Sequence, residues 1–505
     1  RSEPAMQNIT SPVLIAVAVL KPRVITPSPV RTPKAKTAIT PTRSEDFPEW
    51  YQQVIKAADL AENSAVRGCM VIKPWGYAIW ENIKNVLDKK IKDTGHKNAI
   101  FPLLIPESFL KKEAEHIEGF SPELAVVTHA GGKKLEEPLV VRPTSETMIH
   151  YMFAQWIKSW RDLPLKINQW ANVVRWEMRP RAFLRTSEFF WQEGHTAHGT
   201  YQEAHEEALL MLHHYKDLAE NWLAIPVITG RKSEGEKFPG ADITYTFEAF
   251  MPDAKALQMG TSHMLSQNFA RSFDMKFQNR EGEIAYPHLT SWGATTRLIG
   301  ALVMTHGDNK GLVLPPRIAP IQIVIIPIAK TDQEREAVLK VSHELTSQLA
   351  GLRVYIDTDD QKTPGNKFYH WELRGVPLRI EIGPRDLAQN QVTVADRLGL
   401  AKQQIGLSDV VSYCMKQLEV IQSVLFERAH ARREAQIITK ATLSEIIEIS
   451  TTNAAQTGFC GARSCEAVLK QHTLSVRCVL ETTTNENCFN CSEPSRNDCI
   501  VARSY

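Results

Sequence analysis

The order of apolar and polar residues predicts a central pair of β-strands joined by a basic loop, within Val173–His198. In the second run, alternate side chains point to opposite faces, as along any strand. One face carries two aromatic rings, an acid and an imidazole: Phe189, Trp191, Glu193 and His195. In the first run, Arg175 and Glu177 share a face near the strand end. The pattern therefore predicts strands that combine aromatic and ionisable side chains.

Helical and strand patterns recur on both sides of this pair. Apolar positions from Gly76 to Gly95 follow helical spacing, and Ala99–Ile105 is typical of a short strand. Because Pro102 cannot donate to a sheet ladder, that strand is predicted at an edge or an interface. Thr200 and Glu203 form a capping-box signature, which predicts the start of another helix.

Three further segments complete the pattern before position 320. Glu234–Pro239 and Asp242–Phe250 indicate a loop that enters a strand. Ser291–Asp308 indicates a strand that passes into an apolar helix near Arg297. On the residues alone, that segment is a helix cap with an exposed arginine.

A different pattern begins at Ile321–Ile328, a nearly continuous β-branched run typical of a strand buried on both faces. Predicted elements then alternate: helix 332–350, strand 353–356, helix 366–373 and strand 377–382. That alternation predicts a parallel sheet covered on both sides by helices. A long charged helix over Ser408–Glu434 leads to a cysteine-rich last segment.

Length and composition limit the classes of protein that fit. A chain of 505 residues suggests about three domains, and 43% hydrophobic content is ordinary for a globular protein. With a net charge of +2, a nucleic-acid partner would have to meet local basic patches. No apolar run approaches the roughly 18 residues of a membrane span. Residues 1–43 are basic, acid-poor and proline-rich, which predicts a disordered leader, with organelle targeting as an alternative.

Arginines are concentrated in the loop between the two central strands. Arg179, Arg181 and Arg185 each present a planar fork of donors, which suits a polyphosphate ligand. The alternative interpretation is a basic hairpin that contacts only solvent.

Six of the eight cysteines fall in the last segment. Two close pairs have a spacing with which thiolates can enclose a tetrahedral Zn²⁺: Cys460 with Cys465, and Cys488 with Cys491. Because a large cysteine-poor body carries one dense tail, a metal site in a reducing compartment is favoured over two disulfides or inert thiols. Cys478 and Cys499 are left over and could replace a ligand of the second pair.

The order of these motifs resembles a known family. An Arg-x-Glu pair, a loop and an aromatic strand running into Gln-Glu-Gly-His resemble the second signature motif of class II aminoacyl-tRNA synthetases. With RPTSE upstream at Arg142–Glu146, the chain is similar to the prolyl-tRNA synthetases of the archaeal/eukaryotic type, from about Thr42 to Tyr505.

The resemblance implies an α+β and α/β multidomain fold. A class II catalytic domain with an antiparallel sheet would span 44–317, an α/β anticodon-binding domain 318–425, and a small α+β zinc-binding C-terminal domain 426–505. The strand at 99–105 would belong to the first class II motif and meet its mate in a homodimer. Only about a hundred residues separate His198 from Gly293, so no inserted editing domain is expected.

The implied activity joins L-proline to tRNA(Pro) through prolyl-adenylate, with release of AMP and pyrophosphate from ATP. Arg175 and Arg297 would be the catalytic residues: Arg175 bridging the proline carboxylate and the α-phosphate, and Arg297 meeting the nucleotide. The implied proline-binding residues are Thr144, Glu146, Arg175, Trp191, Glu193, His195 and His263. The implied ATP-binding residues are Arg175, Glu177, Arg185, Thr186, Gln258, Thr261, Thr295 and Arg297. Mg²⁺ would accompany ATP, and a structural Zn²⁺ would be held by Cys460, Cys465, Cys488 and Cys491.

Two alternatives from different classes remain open. Another class II synthetase, such as the threonyl type, shares the architecture. A catalytically inactive RNA-binding relative is the non-enzyme alternative, and the intact Arg175, Glu177 and Arg297 argue against it. No glycine-rich phosphate loop supports a class I synthetase or a kinase. The expected location is the cytoplasm, without contact with a membrane.

Overall fold

The computed structural model describes residues 38–110 and 124–505. Its helices are α1 Phe47–Ala57, α2 Pro74–Asp93, α3 Glu146–Trp156, α4 Tyr201–Asp217, α5 Asn268–Ser272, α6 Arg297–His306, α7 Asp332–Gln348, α8 Pro364–Leu373, α9 Pro384–Ala388, α10 Val410–Gln436, α11 Leu443–Ile449 and α12 Arg463–Lys470. Among these residues, no helix is both long and apolar enough to cross a bilayer.

The strands form one large sheet and several small ones. They are β1 Ala61–Asn63, β2 Met70–Ile72, β3 Lys97–Asn98, β4 Leu104–Pro106, β5 Ala125–Ala130, β6 Lys133–Val141, β7 Leu165–Val174, β8 Glu188–His198, β9 Ile228–Arg231, β10 Ile243–Phe250, β11 Ala256–Ser266, β12 Phe277–Gln278, β13 Ile284–Ala285, β14 His288–Thr295, β15 Ile323–Pro327, β16 Val354–Ile356, β17 Leu378–Ile382, β18 Gln391–Asp396, β19 Lys402–Gly406, β20 Ile437–Thr439, β21 Ala454–Phe459, β22 Ser475–Val479 and β23 Asn497–Ala502.

The large sheet runs in the order β20-β21-β23-β22-β9-β10-β11-β14-β8-β7-β3. Its central strands are antiparallel, so the predicted antiparallel catalytic sheet is confirmed. Helix α4 begins at the predicted capping box and packs on this sheet through Ala208 and Tyr215. The Tyr215 hydroxyl donates a 2.6 Å hydrogen bond to Gln192 Oε1. This hydrogen bond holds β8, the strand that carries Trp191 and Glu193, to the helix packed on the sheet.

The second sheet, β16-β15-β17-β18-β19, is only partly parallel. Strand β15 pairs in parallel with β16 and β17, as the alternation of strands and helices predicts. Two strands that the sequence did not predict, β18 and β19, add an antiparallel edge to this parallel part. A short turn suffices for an antiparallel return, and the polar β19, KQQIG, has no apolar run to reveal it.

Two local predictions near the N-terminal side are wrong. The strand over 99–105 does not form as one element, and Pro102 lies between the short strands β3 and β4. The predicted disordered leader extends to residue 43, yet Ile39 is buried and Arg43 donates a 2.7 Å bond to the Met304 carbonyl of α6. An apolar contact and the free carbonyls at a helix end explain this order. Residues 1–37 of the predicted leader lie outside the described range.

The C-terminal segment is continuous with the large sheet, although the sequence predicts a separate small domain. Helix α10 runs through the predicted boundary at 425/426. Strand β22 then pairs with β9 at Val479 and Arg231. The remaining strands of the segment extend the sheet outward from β22, so the catalytic sheet and the cysteine-rich segment share backbone hydrogen bonds.

Candidate active site

A cavity of about 640 Å³ lies over inner strands of the large sheet. Strands β8, β11 and β14, the start of α3 and the loop between β7 and β8 surround it. All of the predicted proline- and ATP-binding residues line this cavity: Thr144, Glu146, Arg175, Glu177, Arg185, Thr186, Trp191, Glu193, His195, Gln258, Thr261, His263, Thr295 and Arg297. Segments separated by more than 150 residues therefore converge on one concave surface.

A closed hydrogen-bond network forms the floor of one half. The carboxylate of Glu193 accepts bonds from Gln169 Nε2 at 2.7 Å and from the Ser145 amide at 3.2 Å. His195 Nε2 lies 3.1 Å from the second carboxylate oxygen. Burial opposes ionisation, but His195, Ser145 and Gln169 together lower the pKa of Glu193. Both carboxylate oxygens of Glu193 thus already have hydrogen-bond partners within the protein, so Glu193 positions the residues that form the floor of the cavity.

Glu146 supplies the free acceptor of the same half. It is the first residue of α3, and its Oε1 is buried without a partner among the described residues. Burial raises the pKa of Glu146. One turn later, both ring nitrogens of His150 also lack a partner there, and burial keeps its pKa well below the ordinary value. A cationic ligand group beside Glu146 would satisfy its open oxygen.

A neutral imidazole forms the side wall. The ring of His263 lies 3.0 Å from the hydroxyl of Thr261 and 3.0 Å from that of Thr244. Burial, followed by the charges of His195 and Arg175, lowers the pKa of His263 to about 3. His263 therefore presents an uncharged surface to the cavity at neutral pH.

Backbone carbonyls hold two guanidinium groups that line the cavity. Arg175 follows the end of β7, and its Nε donates to the Pro143 carbonyl at 2.9 Å. Its guanidinium lies 5.4 Å from the ring of Trp191. Arg297 opens α6 and donates to the carbonyls of Leu184 and Gln258 at 3.2 and 3.0 Å. Burial, together with the charge of Arg185, lowers the pKa of Arg297 to about 10, so both groups remain cationic at neutral pH.

The arginine-rich loop is a tight hairpin at the rim. Arg181 and Arg185 exchange backbone hydrogen bonds of 2.6 and 2.9 Å. The Glu177 carboxylate accepts from the Arg179 amide at 2.8 Å and lies 3.6 Å from Arg185 Nε. Thr186 donates its hydroxyl to the Glu188 carbonyl, which leaves its oxygen lone pairs available. This half of the cavity presents positive charge along a more open wall.

A cavity wall that the sequence did not predict comes from the loop between β9 and β10. Glu236, Lys237, Phe238 and Pro239 all line the cavity. The Phe238 ring centroid lies 4.7 Å from that of His263. The sequence indicates a loop here, but no motif reveals that it covers a site. Only the closure of the sheet brings it beside His263.

The four predicted metal ligands come together in the C-terminal segment. The sulfur atoms of Cys460, Cys465, Cys488 and Cys491 all lie within 4.8 Å of one another. Cys460 Sγ is 3.7 Å from Cys465 Sγ and 3.7 Å from Cys491 Sγ. Four thiolates at about 2.3 Å from one Zn²⁺ would be about 3.8 Å apart, so the donor set fits this ion.

The two remaining cysteines of the tail belong to the core. Cys478 on β22 and Cys499 on β23 are buried and lie outside the four-sulfur group. Burial raises the pKa of Cys478 to about 12, as expected for an inert thiol. All eight cysteines are free in this structure, so the disulfide alternative finds no support in its geometry.

Comparison with protein-family models matches two segments of the chain. Residues 128–306 match the tRNA synthetase class II core domain (G, H, P, S and T). Residues 322–417 match the anticodon binding domain. The first match contains all the predicted cavity residues, and the second contains the partly parallel sheet.

Individual proteins match over most of the chain. A proline--tRNA ligase of Acetoanaerobium sticklandii is 51% identical over 468 residues, which cover 91% of this chain and 97% of that enzyme. The chloroplastic/mitochondrial proline--tRNA ligase of Arabidopsis thaliana is 50% identical over 484 residues, which cover 94% and 89%. The prolyl-tRNA synthetase of Cryptosporidium parvum, solved with halofuginone and AMPPNP, matches with a TM-score of 0.88 and 42% identity. That match covers 92% of this chain and 99% of the solved one.

Proposed function

We infer the roles of the cavity residues from one premise: the chain belongs to the prolyl-tRNA synthetase family. It activates L-proline with ATP to prolyl-adenylate and transfers the prolyl group to the 3′ end of tRNA(Pro), with release of AMP and pyrophosphate. The observation that supports the residue roles best is the convergence of both predicted ligand sets on one cavity.

Proline recognition belongs to the buried half of the cavity. The secondary ammonium of proline carries two N–H donors, and the Glu146 carboxylate and the Thr144 hydroxyl, which line the cavity, offer acceptors for them. Trp191 and His195 enclose the apolar ring, and the uncharged His263 closes the side. Glu193 acts behind these residues, since its own acceptors are occupied.

Adenylate formation joins two anions, so positioned cations carry much of the catalysis. Arg175 lies between the two halves and bridges the proline carboxylate and the α-phosphate. Arg297 meets the nucleotide from the opposite side. The proline carboxylate oxygen attacks the α-phosphorus, pyrophosphate leaves, and the tRNA 3′-terminal hydroxyl later displaces AMP from the adenylate. No side chain need form a covalent intermediate.

ATP occupies the open half. Glu177, Arg185 and Thr186 hold adenosine and phosphates along the hairpin, and four residues complete the site from the sheet: Gln258, Thr261, Thr295 and Arg297. The carboxylate of Glu177 and the amide oxygen of Gln258 are the donors that would hold the Mg²⁺ accompanying ATP. That ion, when bound, offsets phosphate charge.

ATP–pyrophosphate exchange, screened over all amino acids, tests the activity and the competing hypotheses together. We expect exchange that depends on proline. A threonine-dependent signal would support the threonyl alternative, and no signal with any amino acid would support an inactive RNA-binding relative.

Partner and domain assignments follow as proposals. Residues 44–317 form the catalytic domain and 318–425 the anticodon-binding domain, which binds tRNA(Pro); the anticodon-domain match supports the second assignment. Residues 426–505 form a zinc-binding C-terminal module, supported by the four-sulfur group. A shortened chain that ends before the module tests whether the module is separable, because its strands extend the catalytic sheet.

The metal of the C-terminal module is a structural Zn²⁺ held by Cys460, Cys465, Cys488 and Cys491. Four protein ligands leave no open coordination position, so the ion stabilises the fold and takes no part in catalysis. Metal analysis of protein purified without added zinc should give about one equivalent per chain. Less than about half an equivalent, with all four thiols freely reactive, would exclude the site.

The subclass we propose is the archaeal/eukaryotic type, without an inserted editing domain. Residues 199–292, all within the described range, form strands and helices of the catalytic sheet, which supports this assignment. Each methylene missing from a substrate changes binding by only about 1–3 kcal/mol, so alanine, which lacks Cγ and Cδ of the proline ring, should be misactivated at a low but measurable rate. The purified enzyme should not hydrolyse alanyl-tRNA(Pro), and rapid deacylation would contradict the proposal.

We further propose a homodimer formed near β3 and β4. Three apolar side chains in or between these edge strands are exposed and could be covered by a second copy: Ile100, Leu103 and Leu104, at 81%, 44% and 38%. Ile100→Asp should shift the sedimenting species to a monomer. Val71→Asp, at another exposed position, serves as the matched control.

The location we propose is the cytoplasm. The Arabidopsis relative is named chloroplastic/mitochondrial, which keeps an organelle form as the alternative. Microscopy of a fluorescent fusion, compared with a variant lacking residues 1–37, separates the two. Organelle signal that disappears with residues 1–37 would contradict the cytoplasmic proposal.

A further inference from the structure

A single turn at Ser233 positions the loop that borders the proline half of the cavity. Residues 232–240 belong to the connection between β9 and β10, and Phe238 within them lies against the His263 ring. The amides of Glu236 and Lys237 both donate to the Ser233 carbonyl, at 3.1 and 2.9 Å. The position of Ser233 therefore sets the position of the turn that reaches the cavity.

A carboxylate from the C-terminal segment holds this turn. One oxygen of Glu466 accepts a short hydrogen bond from the Ser233 hydroxyl. Its other oxygen accepts from the Gly235 amide at 3.2 Å. Both oxygens of one side chain thus fix two residues of the loop, from more than 230 positions later in the chain.

The site around Glu466 is built for that contact. Glu466 is only 3% exposed, and it lies in the first turn of α12, where the helix dipole favours a negative charge. A Cβ on Gly235 would approach the carboxylate oxygen to 2.6 Å, so a larger residue there would have to displace the Glu466 carboxylate. A buried carboxylate costs free energy unless it is hydrogen-bonded, and the loop supplies those donors.

We propose that Glu466 is a positioning residue for the proline site. It fixes the 232–240 loop, which places Phe238 against His263 and so defines the side wall that proline contacts. The proposal rests on the assignment of His263 to the proline site. Glu466 touches no substrate, and its effect passes through the loop alone.

The contact between Glu466 and the 232–240 loop also brings the group of four cysteines close to that loop. Cys465 immediately precedes Glu466 on α12, and Cys460 Sγ lies 3.7 Å from Cys465 Sγ. Lys470 on the same helix lies 3.9 Å from Glu236 of the loop. Loss of order in the group of four cysteines would therefore disturb the side wall of the proline half first, and it would affect the ATP half only indirectly.

Glu466→Gln removes one acceptor while it keeps the size of the side chain, and Ser233→Ala removes the partner hydroxyl. In ATP–pyrophosphate exchange, each should raise the KM for proline about tenfold, since a hydrogen bond to a charged group is lost. The KM for ATP and kcat should change by less than about twofold. The double variant should show less than the product of the single effects, because both remove the same bond. Glu448→Gln, an exposed acid on α11, is the matched control.

Hydrogen exchange of the 232–240 peptide gives a second readout, which also serves if one variant folds poorly. The Gly235 amide should exchange faster in Glu466→Gln, and proline should protect the wild-type loop more than the variant loop. An unchanged KM for proline, or equal changes in the KM values for proline and ATP, would overturn the proposal. His263→Ala separates the two hypotheses. If it leaves the KM for proline unchanged, the site assignment fails; if it raises that KM while Glu466→Gln does not, only the positioning role fails.

Discussion

The two halves of the cavity are built on different physical principles. In the proline half, the side chains of Glu193 and His195 are 2% and 3% exposed, and side-chain hydrogen bonds close the network around them. In the ATP half, the Arg185 side chain is 56% exposed and its partner Glu177 23%. The first half is fixed before any ligand binds, whereas the second leaves several charged groups in water.

This difference fits the two ligands. Proline is small, so a few buried contacts must identify it, and a fixed network lowers the ordering cost of binding. ATP is large and highly charged, so it needs an entry path and several cations that can close on its phosphates. The comparison indicates that the rigid half recognises proline and that the open half binds the charged phosphates of ATP.

The largest expected effect comes from the residue between the halves. Arg175→Ala should depress proline-dependent exchange by on the order of a hundredfold or more, because one preorganised electrostatic donor serves both ligands. The measurement is exchange at saturating proline and ATP. Near-normal exchange in this variant would break the comparison, since neither half would then depend on Arg175.

The next effect tests the closed network. Glu193→Gln places an amide donor against donors from Gln169, Ser145 or His195, so one buried group loses its partner. We expect about 1–3 kcal/mol loss in the free energy of unfolding and about a tenfold higher KM for proline. Urea denaturation and exchange kinetics measure these, with Glu448→Gln as control. A variant as stable as the wild type would show that the network is not closed as described.

As the pH is lowered, the two carboxylates of the proline half, Glu146 and Glu193, should protonate at different pH values. Burial raises the pKa of Glu146 above its ordinary 4.5, while hydrogen bonds that outweigh burial lower that of Glu193. As pH falls, Glu146 therefore protonates first and loses its attraction for the proline ammonium. The stability that Glu193 contributes is present above its unfolded pKa and is lost only below it. As the pH falls from neutral, the KM for proline should therefore rise several-fold before the protein unfolds. A flat KM would contradict the role of Glu146.

The smallest expected effect is on ATP binding after metal removal. Chelation should loosen the chain beyond about Thr457, which limited proteolysis detects, because structural thiolate sites contribute folding energy. The KM for ATP should change by less than about twofold, since the ATP half has no contact with the four cysteines in the structure described. A large loss of ATP affinity would show that the open half also depends on the tail.

The sequence predicts the class of fold, and the residues that it proposes for the site line one cavity. The cavity residues lie in short motifs, such as Thr144–Glu146 and Trp191–His195, whose local order already carries their chemistry. The Glu466–Ser233 contact joins positions more than 230 residues apart, and no periodicity predicts such a pair.

The errors in the predicted fold have the same origin. The apolar run that includes Pro102 is typical of a strand, yet its sheet partners are decided by β6 and β7, far along the chain. The proposed boundary near residue 425 is implied by the family resemblance, and the pairing of Val479 with Arg231 joins the large sheet across it. Local patterns predict elements, and long-range pairing decides how they join.

One kinetic comparison tests the division of the cavity most directly. The KM values for proline and ATP are measured by pyrophosphate exchange for Glu146→Gln and Arg185→Ala, each against the wild type. Loss of a charged hydrogen bond should raise the KM for proline about tenfold or more in Glu146→Gln, with the KM for ATP nearly unchanged. Arg185→Ala should raise the KM for ATP several-fold and leave that for proline within about twofold. Equal shifts of both KM values in both variants would contradict the division.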